Sequence, residues 1–140
     1  MIGVADASPL IALARIGRLE LLHSALGRLL LPEAVWREVV EAGLDRAGAG
    51  EVWQANWIER RSVVDAGLVA LLRQDLGAGE SETIVLAREV GADLVLMDER
   101  MGRAAAKRLG LRVIGLAGVI VEARERGLVP DAEAVANDLH

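Results

Sequence analysis

Two aspartates close short apolar runs of β type: Asp6 follows Ile2–Ala5, and Asp98 follows residues 94–97. In open parallel sheets, sites form beyond the carboxyl ends of the strands, in the loops that lead into helices. Aspartate is also a frequent turn and helix-cap residue, so either position alone is explained without a site. Two such loops that face one crevice are harder to explain that way. Glu80 and Glu82 open the helix ahead of the Asp98 strand, where the helix N-terminus also favours carboxylates. From the first turn, Glu80 points back over the crevice. Glu38 sits mid-helix between Arg37 and Val39, and periodicity alone makes it a solvated position. Carboxylates gathered closely raise one another's pKa unless a cation is present. Oxygen-only donors suit hard cations such as Mg²⁺ or Mn²⁺. Those ions polarise a phosphodiester and activate water, which is the route from such a cluster to hydrolysis of a nucleic-acid backbone.

The elements that must position these acids follow from pattern. Short β-type runs alternate with helical stretches, the signature of a parallel sheet wrapped by helices. The expected class is α/β, a three-layer α/β/α sandwich with a central, mostly parallel sheet. Strands are expected at 2–5, 28–31, 58–64, 94–97 and 112–114. Ser8 reads as an N-cap with Pro9 at the first helical position. Helices are expected at about 18–25, from Pro32 to near Gly43, from Glu51, and at 66–74, 80–90, 99–109, 117–126 and 131–139. Residues 43–50 are small and Gly/Ala-rich, a loop or helix–helix turn. There is no internal repeat.

Composition narrows the class. The 140 residues suit one domain, 1–140, large enough to bury a core without staples. Hydrophobic residues make up 53% of the chain, yet Phe and Tyr are absent, so Leu, Val, Ile and Ala must fill the core. The absence of Cys excludes disulfides, thiolate metal sites and a Cys nucleophile. No signal-peptide pattern and no membrane-length apolar run is present, so a soluble, cytoplasmic protein without a membrane partner is expected. A net charge of −5 argues against coating nucleic acid, but not against a nuclease with a local arginine patch.

Taken in order, the motifs resemble those of PIN domains. Val4-Ala5-Asp6-Ala7-Ser8-Pro9-Leu10-Ile11 looks like the first motif. Leu31-Pro32-Glu33-Ala34-Val35-Trp36-Arg37-Glu38 looks like the second, with its acid on Glu38. Gly79-Glu80-Ser81-Glu82, with Ile84, Ala87, Gly91-Ala92 and 94–98, is similar to the third and fourth. The match is nearest to a solitary PIN-like branch with Gly-Glu-x-Glu and a later Asp-Glu-Arg, here Asp98-Glu99-Arg100. The resemblance implies that Asp6, Glu38, Glu80 and Asp98 form a catalytic pocket binding Mg²⁺ or Mn²⁺. It further implies that Ser8 supports Asp6 by hydrogen bonding and that Glu82 is an alternative or supporting acid. Many members have Asp where Glu80 stands. The family includes VapC-type toxin ribonucleases, whose partners would be RNA and an antitoxin protein, and members with no demonstrated cleavage.

Three readings therefore stand: a metal-dependent endoribonuclease, such as the toxin of a two-gene module; a non-cutting RNA- or protein-binding module; and a small-molecule phosphohydrolase. Arg100, Arg103, Lys107 and Arg108 give one helix basic character, either as a solvated face or, for Arg100 and Arg103, as phosphate holders beside Asp98. Trp53 and Trp57 read as core or dimer contacts ahead of base-stacking groups. The apolar helices lead to the expectation of a homodimer. Gly77-Ala78-Gly79 is no dinucleotide fingerprint, because Glu82 replaces the third glycine and no strand precedes it. Asp6-Ala7-Ser8 lacks the second Asp of an aspartyl phosphatase, and no serine triad is present.

Overall fold

The computed structural model describes residues 1–41 and 49–127. The helix read at 131–139, most of the loop read at 43–50 and the side chain of Trp53 lie outside what it describes. Along the chain run β1 (Ile2–Ala5), α1 (Ala7–Arg15), α2 (Glu20–Leu26), β2 (Arg28–Pro32) and α3 (Glu33–Trp36). After α3 come a π-helical turn (Arg37–Glu41), α4 (Ala49–Gln54), β3 (Ile58–Arg61) and α5 (Ala66–Leu72). Then follow α6 (Ala78–Val90), β4 (Leu94–Leu96), α7 (Arg100–Arg108), β5 (Val113–Ile114) and α8 (Leu116–Glu125).

All strand pairings are parallel, in the order β3-β2-β1-β4-β5. Because side chains alternate along a strand, β1, β2 and β4 each feed two cores. Ala5, Leu29, Leu31, Leu94 and Leu96 pack on one side with Leu10, Leu13, Leu22 and Val119. Val4, Leu30, Val95 and Met97 pack on the other with Ile84, Leu86, Ala105 and Ala106. The result is the expected three-layer α/β/α arrangement, and the central strands β1, β2 and β4 are buried on both faces, as in parallel sheets.

Some boundaries differ from the pattern-based reading. The first helix begins at Ala7, with Asp6 at the N-cap making no side-chain cap bond, so Ser8 lies inside the first turn. β2 runs through Pro32, and the following helix is not a single α-helix but widens into the π turn that carries Glu38. β3 ends at Arg61, before Ser62, Val63, Val64 and Asp65, which lead to α5.

The strand order makes the site. After β1 the chain moves outward through β2 and β3, then returns to the opposite side of β1 to place β4 and β5. The crevice beyond β1 and β4 is therefore the topological switch point of the sheet. The amide of Asp6 bonds the Leu96 carbonyl at 2.9 Å, which fixes Asp6 at the mouth of this crevice.

Candidate active site

Asp6 follows directly on β1 and is buried, only 5% exposed. Burial pushes its carboxyl up to about 6 from an ordinary 3.8. A hydrogen bond from the Ala7 amide works against that rise, and the negative charges of Glu80, Glu38 and Glu99 add to it. Among the described residues no basic group acts on Asp6 to offset them, and none of these four acids is in an ion pair.

Each neighbour arrives from its own element. Glu38 comes from the π turn, whose extra residue re-aims side chains relative to an α-helix. Gly79, in the first turn of α6, lets this happen. A Cβ there would stand 2.9 Å from Asp6 Oδ1 and 3.4 Å from Glu38 Oε2, so any larger residue would separate the two acids. Glu80 follows on the same turn and is half-buried. Gly102 plays a matching part on α7, where a Cβ would meet Glu80 Cγ and Glu99 Oε2, each at 3.4 Å. Glu99 itself caps α7, accepting from the amides of Met101 at 3.1 Å and Gly102 at 2.6 Å.

The charges of Glu38 and Glu80, two of the acids that the sequence singled out, thus act on Asp6, and Glu99 acts beside them. Sequence reasoning passed over Glu99 because Asp98 occupied the strand-end position. The only signal was its place in Asp98-Glu99-Arg100. Asp98 is exposed and turned toward α8: its Oδ1 accepts from the Leu116 amide at 3.0 Å. Both Asp98 Oδ1 and the Arg103 guanidinium border Gly115. Arg103 also approaches the Met97 carbonyl at 3.5 Å, while Arg100 is exposed on the first turn of α7.

Two supporting assignments change. Ser8 is exposed, and no hydrogen bond links it to Asp6 among the described residues. Pro9 takes the third helical position, so the Ser-Pro pair shapes the first turn and does not cap it. Glu82 points to α3, where its Oε1 accepts from the Ala34 amide at 3.1 Å. It ties α6 to α3 and leaves the crevice to Glu80. Nearby, Arg60 bonds both oxygens of Glu33 at 2.7–3.0 Å and lies over the Trp36 ring, which fastens β3 to α3.

The donor set is hard oxygen, rich in negative charge and short of compensation, which is the chemistry that a divalent cation relieves. As they stand, no three of the described acids lie close enough to enclose an ion. Glu38 is exposed and Glu80 half-buried, so both have room to swing toward the fixed Asp6.

Among families of known proteins, the chain matches the family DUF3368, described as a PIN domain, over residues 2–140. Among solved structures it is similar to a PilT N-terminus domain protein from the hyperthermophilic archaeon Sulfolobus solfataricus P2. The TM-score is 0.60 with 18% identity, covering 89% of this chain and 95% of that one. At that identity the likeness speaks for the fold alone. No curated protein matches the chain.

Proposed function

The chain belongs to the PIN-domain family, and from that premise we propose that it is a metal-dependent endoribonuclease cutting at the crevice beyond β1 and β4. PIN domains are commonly nucleases and generally use divalent metals. The observation that carries the reading here is the buried Asp6, on which three like charges and, among the described residues, no counter-charge act. Asp6, Glu38, Glu80 and Glu99 would hold Mg²⁺ or Mn²⁺, with Glu99 taking the place that the sequence offered to Asp98. A bound ion of this kind supplies Lewis acidity, polarising the phosphodiester and making water a better nucleophile.

The protein's own part is positioning. Asp6 is the fixed member, held by the sheet and dry on its inner side. Glu38 and Glu80 are the adjustable members. Arg100 and Arg103 stand on the neighbouring first turn of α7, where a guanidinium can take a backbone phosphate bidentately. Asp98 orients this corner by holding the α8 N-terminus beside Arg103. A two-gene toxin–antitoxin setting extends the same reading, and a small adjacent gene for a DNA-binding antitoxin would support it.

The competing reading is a PIN domain that binds RNA without cutting, favoured by the open spacing of the acids. Incubation of a mixed pool of structured and unstructured RNA with Mn²⁺ or with chelator separates the two. Cutting is expected with Mn²⁺ only, lost in Asp6→Asn and Glu99→Gln and largely kept in Asp98→Asn. An uncut pool, the same for parent and Asp6→Asn, would establish the non-cutting module. Loss in Asp98→Asn with cutting retained in Glu99→Gln would return the fourth position to Asp98.

A further inference from the structure

We infer that the cleft between α7 and the turn joining α5 to α6 is a nucleobase subsite, which takes an unpaired base of single-stranded RNA next to the acidic cluster. It rests on the reading of the protein as an RNA-cutting enzyme. The cavity measures about 280 Å³. Sites for drug-sized ligands run to roughly 300–1,000 Å³, so this one suits a single planar group. Leu71, Leu76, Met101 and Ala104 supply apolar walls, while Gln74, Asp75 and Arg108 bring polar groups. Leu71 and Met101 are 59% and 53% exposed, a cost in water that a flat apolar face would remove.

Its position ties it to the acids. Residues 101, 104, 105 and 108 of α7 line the cleft at helical spacing. Gly102, next in the chain to Met101, borders Glu80 and Glu99. On the other wall, Leu76 precedes Gly77, whose Cβ would stand 2.6 Å from Glu80 Oε2. The same two segments thus build both the cleft and part of the acidic cluster.

Charge selects the occupant. α7 carries Arg100, Arg103, Lys107 and Arg108 and no acid, in a chain whose net charge is −5. Among the described residues, none of these four cations is in an ion pair. A ligand that offers a row of negative charges together with flat, largely apolar groups satisfies both features, and single-stranded RNA is such a ligand. Its phosphates meet the α7 cations, and a splayed base enters the cleft. There Arg108 can lie against the ring, and Gln74 and Asp75 can meet its polar edge. Bases stacked inside an A-form duplex cannot do this, so the site favours single strands.

The test measures anisotropy of a labelled single-stranded RNA, and of the same strand with abasic positions, in chelator so that nothing is cut. The parent is expected to bind the base-bearing strand about tenfold more tightly, roughly 1.4 kcal/mol. Ala104→Leu, which fills the cleft from an exposed helix position, should bind both strands as the parent binds the abasic one. Met101→Ala, which removes a wall, should also reduce the preference. An Ala104→Leu variant that keeps the parent's preference would overturn the subsite, as would a parent without one that still cuts RNA. A parent that binds neither strand would remove the RNA reading and the subsite together. If Ala104→Leu abolishes self-association in sedimentation while RNA preference stays intact, a second copy of the chain occupies the cleft and the proposal fails.

Discussion

At the residue scale the proposed chemistry rests on Asp6, and its burial has a consequence for stability. Its carboxyl is raised from 3.8 to about 6 in the folded protein, so folding favours the protonated form. Stability contributed this way is fully present below pH 4 and is lost as the pH rises through 6, because only the unfolded chain ionises freely in that window. A shift of this size corresponds to about 2–3 kcal/mol at neutral pH. Glu33 has the opposite sign: the hydrogen bond from Arg60 holds its carboxyl below its ordinary 4.5, so that contribution is present above 4.5 and is lost as the pH falls below it. In urea unfolding with chelator present, Asp6→Asn should therefore be the more stable protein at pH 8 by about 2–3 kcal/mol, with the gap closing near pH 4. Equal stabilities at pH 8 would mean that Asp6 is already compensated without metal. Asp6 was legible as a strand-end acid. Glu99 was not, because the choice between it and Asp98 depends on which carboxylate caps α7 and which holds α8, a matter of tertiary packing.

At the scale of elements, α6 separates two acids two residues apart. Glu80 faces the crevice, while Glu82 holds the α3 amide of Ala34. Glu82→Ala should accordingly lower stability by about 1 kcal/mol, the usual worth of such a bond, and leave cutting nearly intact. Glu80→Gln should do the reverse, and paired melting curves and cleavage rates check both. A loss of cutting in Glu82→Ala equal to that in Glu80→Gln would place both acids in the site. The presence and order of strands and helices were readable because apolar runs, Pro and Gly mark them locally, while several of their ends, such as those at Ser8 and Pro32, were not. The π turn at Arg37–Glu41 was not, since one extra residue in a turn leaves the spacing of Val35, Val39 and Val40 consistent with an ordinary helix. For that reason Glu38 looked like a solvated position by periodicity, and only the motif resemblance brought it forward.

For the whole molecule, the decisive fact is strand order. The sequence showed two aspartates closing two strands, but only the order β3-β2-β1-β4-β5 makes those strands neighbours and their ends one crevice. That order depends on crossovers between distant segments, which local pattern does not encode. The absence of Phe and Tyr was a better guide: two layers of Leu, Val, Ile and Ala do fill both sides of the sheet. Among the described residues, no helix is long and apolar enough to cross a membrane. Around the crevice, the fold gathers negative charge on its floor and positive charge on the adjoining α7, an arrangement suited to separating the work of turnover from that of binding. Single-turnover cleavage and affinity, measured on one RNA drawn from the cut pool, test that division most directly. Asp6→Asn should lose cutting by at least about a thousandfold, as expected when an interaction made in the transition state is removed, while binding the RNA as tightly as the parent or more so. An Asp6→Asn variant that cuts at the parental rate, or that loses cutting only in proportion to lost RNA affinity, would contradict the account.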